Sequence, residues 1–147
     1  MTAADGLGLC SAYIERHPEA AGRALRDVPV ADAAALLAAL RAGVAARALA
    51  QAGTMRASRL ILAMDGNAAA AILAELPDTS AAAILRLLET PERDALLECL
   101  PDLARRHVAD SLEYPADAVG SIMTRTLVAL EATTRAADAL DALRENG

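Results

Sequence analysis

A hydrophobic repeat with a period of twelve residues runs from about Pro18 to Glu113 of this chain. One column of the repeat, read every twelve positions, consists of Leu25, Leu37, Leu49, Ile61, Leu73, Leu85, Leu97 and Ala109. The position before it and the third position after it are also mostly apolar. The fourth position before it is alanine in six successive units: Ala21, Ala33, Ala45, Ala57, Ala69 and Ala81. Within one unit these columns fall at i, i+3, i+4 and i+7, which is one face of an α-helix. The repeat therefore predicts a stack of short helices.

Proline, glycine and short polar residues separate the units. They stand at Pro29, Gly53, Asp65-Gly66-Asn67, Pro77-Asp78, Thr90-Pro91 and Pro101-Asp102. Four of the polar residues are predicted N-caps, because their side chains can accept bonds from the first amides of a helix: Asn67, Asp78, Thr90 and Asp102. Helices of about eight or nine residues are marginal alone in water. Each unit must therefore pack against its neighbours in order to persist.

The predicted fold class is all-α. Short helices joined by short turns run antiparallel or steeply crossed. We expect a right-handed superhelix of such helices, similar to armadillo or HEAT arrays but with half-repeats of about twelve residues. A long coiled coil is the competing interpretation, and we reject it because Pro and Gly recur and the period is not a heptad. We expect the thinnest packing where Ala48, Ala52 and Gly53 replace larger residues.

The repeat divides the chain into four predicted segments. They are a flexible leader over 1–9, a helical-repeat domain over 10–113, a linker over 114–124 and a C-terminal part over 125–147. Within the repeat domain the first helix is predicted from Cys10 to Arg16. Pro18 then begins the next helix, since proline suits a first helical turn.

Turn residues dominate the predicted linker, and regular structure is expected to resume after it. Thr126 to Leu130 could form a short strand. An amphipathic helix is predicted from Arg135 to Arg144, with Ala136, Ala139, Leu140 and Leu143 on one face.

Charge and composition exclude several classes of function. The net charge of −6 argues against nucleic-acid binding, which favours a basic surface. No apolar run approaches the ~20 residues of a transmembrane helix, so we expect no direct insertion into a membrane. No secretion signal is evident either. Cys10 and Cys99 are therefore expected to be reduced, buried small hydrophobes in a cytoplasmic protein. No catalytic motif is present, so we expect no enzyme activity.

The segment from Leu112 to Thr124 resembles a family-specific linker. It reads Tyr-Pro-Ala-Asp-Ala-Val-Gly-Ser-Ile-Met-Thr from Tyr114 onwards, similar to the Tyr-Pro-x-Asp-x-x-Gly-x-x-Met-Thr stretch of MgtE-type magnesium transporters and channels. The helical repeats before it resemble the cytosolic N-terminal domain of that family. Residues 127–144 resemble the first strand and helix of the cystathionine-β-synthase (CBS) domain that follows in the family.

This resemblance implies a function. The chain would be a non-catalytic, Mg²⁺-sensing regulatory module on the cytosolic face of the inner membrane, and not itself a pore. Its partners would be the CBS and transmembrane domains of the same or a partner protein, and a homodimer is compatible with it. The linker residues that would set the orientation of the repeat domain against the next domain are Tyr114, Pro115, Asp117, Gly120, Ile122 and Met123.

The resemblance transfers no metal ligand to this chain. In the family, sensing acids tend to precede the apolar pair of a unit, but the corresponding positions here are Ala35, Ala71, Ala83 and Ala95. Mg²⁺ prefers oxygen ligands and can bridge two acidic surfaces. Asp110, Glu113 and Asp117 flank the linker and could meet a cation across a domain interface, although we favour a solvated, acidic helix end.

The remaining polar residues have structural interpretations. An acidic run matches the positive end of a helix dipole: Glu89, Glu92, Asp94 and Glu98. His17 and His107 have no ligand partner at i+3 or i+4, so we interpret them as turn or surface residues. In the Arg105-Arg106 pair we expect ion pairing with Asp102 or Asp110 on the same helix.

A second resemblance supports an alternative function. The sequence from Glu15 to Glu19, Glu-Arg-His-Pro-Glu, is similar to the opening of the middle domain of the flagellar motor switch protein of the FliG type. The chain would then be a stand-alone helical-repeat scaffold for protein interaction, with no metal role. That domain lacks the Tyr-Pro-x-Asp-x-x-Gly linker, and for this reason we rank it second.

Overall fold

A computed structural model describes residues 3–113 of the chain. This part is entirely helical, with no strand. Its α-helices are α1 (Ala3–Arg16), α2 (Pro18–Asp27), α3 (Val30–Ala39), α4 (Ala42–Ala52), α5 (Thr54–Leu62), α6 (Gly66–Ala74), α7 (Asp78–Leu85), α8 (Thr90–Cys99) and α9 (Asp102–Glu113). The predicted linker over 114–124, the strand from Thr126 and the C-terminal helix from Arg135 lie outside the described residues.

The predicted breaks between units are confirmed as helix boundaries. Pro18 is the first residue of α2, and Pro29 directly precedes α3. Gly53 alone separates α4 from α5 and has φ 87°, in the region that favours glycine. One further boundary falls at Leu40 and Arg41, where neither Pro nor Gly occurs. Only the twelve-residue period indicated a break at this place.

The predicted N-caps are wrong by one or two positions. Asp78, Thr90 and Asp102 are the first residues of their helices, and Asn67 is the second residue of α6. The cap of α6 is Asp65, whose carboxylate accepts a hydrogen bond from the Asn67 amide at 2.9 Å. At α8 the residue before the helix is Glu89, and its backbone amide donates to the Glu92 carboxylate at 3.3 Å.

The first helix begins at Ala3, so the predicted start at Cys10 and the loose structure expected over 3–9 are wrong. Gly6 and Gly8 lie inside α1, where each glycine costs about 1 kcal/mol relative to alanine. Contacts of the second half of the helix offset this cost. Ile14 is buried, and Glu15 forms an ion pair with Arg41 at 2.6 Å. α1 thus packs against α2 and α4.

The main helix contacts join each helix to the one two positions further along the chain. α2 packs on α4, α4 on α6 and α6 on α8, while α3, α5, α7 and α9 are joined in the same way. Consecutive helices also touch, but less extensively. From α2 onward the described helices therefore form two rows, with even-numbered helices in one row and odd-numbered helices in the other, while α1 packs against α2 and α4.

The predicted columns form the core between these rows. The first column is buried from Leu25 to Leu85 and becomes only partly buried at Leu97. The alanine column is buried in all six units, from Ala21 to Ala81. In the first unit Ala24 and Val28 are exposed, and both line a groove beside α1.

Packing is closest where we expected it to be thinnest. Ala48 and Ala52 are almost completely buried, at 0% and 2% exposure. A Cβ atom built on Gly22 of α2 would lie 2.4 Å from the Cβ atom of Gln51 on α4. Small residues therefore allow the two helix axes to approach each other, as alanine and glycine do at close helix crossings.

Candidate functional site

The predicted linker residues Tyr114, Pro115, Asp117, Gly120, Ile122 and Met123 all lie outside the described residues. The structure does describe α9, the helix from which the chain enters this segment. α9 ends at Glu113 and packs against α7 and α8. The last turns of α9 are therefore the described part of the candidate site.

A polar network attaches the C-terminal half of α9 to α7. The guanidinium of Arg86, at the residue after α7, donates to the backbone carbonyl of Ser111 at 2.5 Å. The Ser111 hydroxyl donates to the carbonyl of His107 at 2.9 Å, and Ser111 is buried. The Nδ1 atom of His107 lies 3.6 Å from an oxygen of Asp78, the first residue of α7. Both ends of α7 thus hold α9.

Apolar contacts complete this attachment. Val108 is 1% exposed, and Leu112 packs partly buried against the core. Buried apolar and polar contacts therefore alternate along one face of α9 up to its last turn.

The candidate carboxylates near the linker occupy different environments. Asp110 is half-buried and has an interaction partner, whereas Glu113 is exposed. Asp117 lies outside the described residues. Within residues 3–113 no group of three or more His, Cys, Asp or Glu side chains lies close enough together to hold a metal ion.

The acidic run around α8 is exposed at all four positions, Glu89, Glu92, Asp94 and Glu98. Glu92 accepts the bond from the Glu89 amide, and Asp94 lies 3.7 Å from Arg93. These contacts support the structural interpretation of Glu92 and Asp94, since both are local to the start of the helix.

The two histidines and Arg105 make contacts with nearby side chains, as the structural interpretation of these residues predicts only in part. The exposed His17 contacts Tyr13, with ring centroids 5.2 Å apart. The predicted pairing of Arg105 with Asp102 is confirmed at 2.6 Å. His107 lies 3.6 Å from Asp78, and the local spacing at i+3 and i+4 does not indicate this contact because Asp78 lies on another helix.

The cysteines differ from expectation in their burial. Cys10 is half-buried, and Cys99, the last residue of α8, is exposed. The prediction that both are buried is wrong: the Cys99 sulfur lies near Gly66 of α6, but at the last position of α8 the residue remains exposed.

An apolar groove about 340 Å³ in volume lies between α1 and the helices that follow it. Leu9 and Tyr13 on its edge are 65% and 51% exposed. The repeat did not indicate this groove, because α1 precedes the columns.

No helix in the described part of the chain combines the length and the apolar character that crossing a membrane requires.

Among curated proteins no relative matches the chain. A family model does match: the MgtE intracellular N domain aligns with residues 16–117, which is more than half of the 147 residues. The match begins at the last residue of α1, includes α2 to α9 and ends within the predicted linker. The chain therefore belongs to the MgtE intracellular N domain family.

Proposed function

We propose that this chain is a non-catalytic regulatory module of a magnesium transport protein, and that it responds to Mg²⁺ at the cytosolic face of the inner membrane. One observation carries the proposal: the family match extends through α9 into the linker-like segment that begins at Tyr114. The proposed partners are the CBS and transmembrane domains of the same or a partner protein.

The two rows of short helices support this role. We propose that they wind into a right-handed superhelix, because consecutive stacked pairs of short helices add a small rotation at each step. Such a stack presents an extended surface to the domains beside it. The linker residues Asp117 and Gly120 would define its orientation against the next domain.

We assign no Mg²⁺ ligand among the described carboxylates of this chain. A response to Mg²⁺ would then belong to the assembled protein, with oxygen ligands contributed from more than one domain. Mg²⁺ often retains water molecules and uses only one or two carboxylates, which is compatible with such a shared site.

Transport by a chimeric protein tests the proposal. The chain up to Thr124 is joined to the CBS and membrane-spanning domains of an MgtE-type transporter that lacks its own N-terminal domain. We expect Mg²⁺ on the cytosolic side to inhibit ion flux into liposomes more strongly than in the transporter without the chain. A fluorescent Mg²⁺ indicator inside the liposomes measures the flux.

Asp117→Ala in the same chimera serves as the matched variant, because it removes one carboxylate of the linker and leaves the repeats intact. Weaker inhibition in this variant would support the role of the linker. If the chimera and the transporter without the chain respond identically to Mg²⁺, the proposed function is wrong.

A further inference from the structure

The C-terminal turn of α9 is electrostatically unfavourable without help from another helix. Its residues include the acidic Asp110 and Glu113, and it contains no basic residue. The C-terminal end of a helix carries partial negative charge, so acids there oppose the dipole whereas a cation stabilises the turn. The last four carbonyl groups of a helix also lack partners within the helix.

Arg86 supplies both a positive charge and a hydrogen-bond donor to this turn from outside the helix. It follows the last residue of α7, and its guanidinium donates to the carbonyl of Ser111, which belongs to the last turn of α9. The side chain is half-buried, so water screens this contact less than it would screen one on the open surface. Arg86 and Ser111 are 25 residues apart in sequence.

We propose that Arg86 is a positioning residue: by capping the end of α9 from the end of α7, it fixes the point from which the chain leaves the repeat domain for the linker. The cap itself follows from the contacts of α7 and α9. The consequence of this cap for regulation rests on the proposed function. If the repeat domain acts on the next domain, a fixed exit point lets it do so as one body.

Arg93 provides a matched control on the neighbouring helix. It is also partly buried, with 30% of its side chain exposed, and its contacts with Thr90 and Asp94 are both within α8. Removal of its charge changes the net charge as much as removal of Arg86 does. Removal of Arg93 leaves the hydrogen bond from Arg86 to the Ser111 carbonyl in place.

Hydrogen exchange of the 147-residue chain, followed by mass spectrometry, measures the cap directly. Arg86→Met removes the charge and the donors at similar side-chain length. We expect amides at 110–113 to exchange roughly tenfold faster in this variant, since one bond to a charged donor is lost. Exchange in α2 to α6 should not change. Arg86→Lys should restore the protection to within about threefold, because lysine retains a charged donor.

Three exchange results would overturn the assignment. They are unchanged exchange at 110–113 in Arg86→Met, faster exchange of all helices to the same degree, and an equal effect of Arg93→Met on α9. The second of these would mean that Arg86 contributes only to the global stability of the domain.

The chimeric transporter tests the consequence for regulation. We expect Arg86→Met to raise the Mg²⁺ concentration for half inhibition severalfold, and Arg93→Met to leave it unchanged. An unchanged value in Arg86→Met would contradict the positioning role. If the chimera with the unaltered chain does not respond to Mg²⁺ at all, the proposed function fails instead, and the exchange experiment still decides the assignment of Arg86.

Discussion

Gly22 lies where α2 and α4 cross, and its missing side chain permits the crossing. A Cβ atom at this position would lie 2.4 Å from the Gln51 Cβ atom and 2.6 Å from the Gln51 carbonyl carbon. Because backbone atoms take part, a change of side-chain rotamer cannot relieve the overlap. We expect Gly22→Ala to lower the free energy of unfolding by about 1–3 kcal/mol, the usual cost of overpacking. Urea unfolding followed by circular dichroism measures the change.

Gly8→Ala is the control for this substitution. Gly8 also lies inside a helix, but a Cβ atom built on it meets nothing within 4 Å. Since alanine is the better helix former, this variant should gain up to about 1 kcal/mol. Equal stability of Gly22→Ala and the unaltered chain would show that α2 and α4 can separate without cost.

At the scale of the helices, burial of the first column decreases toward the C-terminal end of the stack. Leu73 of α6 is 0% exposed, whereas Leu97 of α8 is only partly buried. Leu73→Ala should therefore cost about 2–5 kcal/mol, because it leaves a cavity between helices on both sides. Leu97→Ala should cost about 1 kcal/mol, since less surface leaves water there on folding.

The two leucine variants share the same chemical change, the same column and a helical position, so helix propensity cancels between them. Their unfolding midpoints in urea provide the comparison. An equal loss in both variants would contradict the gradient of burial, and it would place α8 as firmly in the core as α6.

The repeat predicted the helices and their buried faces, because both follow from local spacing. Leu37, Leu49 and Leu73 are fully buried, as their column required. The first half of α1, before the predicted start at Cys10, escaped prediction because the contacts of this helix come from Ile14 and from the Glu15–Arg41 pair rather than from its glycine-containing beginning. A periodic pattern carries no information about such contacts.

The candidate site was less accessible to sequence reasoning than the fold. The resemblance at Tyr114 to Thr124 predicted a linker, and these residues lie outside the described part. The contacts that hold α9 join residues 25 or more positions apart, Arg86 with Ser111 and Asp78 with His107. Such pairs depend on which helices become neighbours, and the spacing of residues in one sequence does not indicate which helices will pack together.

At the scale of the molecule, the two rows of helices limit how far a perturbation can travel. From α2 onward each described helix mainly contacts the helices two positions before and after it within its row. The stability of such a stack is approximately a sum of units and of interfaces between neighbours. A change at α9 should therefore weaken toward α2.

Truncation of the chain after Glu89, which removes α8 and α9, tests this local coupling. α6 and α7 lose the helices packed on them, so their amides should exchange at least roughly tenfold faster. Amides of α2 should stay within about threefold of their rates in the longer chain, because their partner α4 is retained. Truncation after Glu113 is the control, since it retains every helix from α1 to α9. Equal loss of protection in α2 and α7 would mean that the stack unfolds as one cooperative unit, and a displacement at the linker would then reach the whole domain.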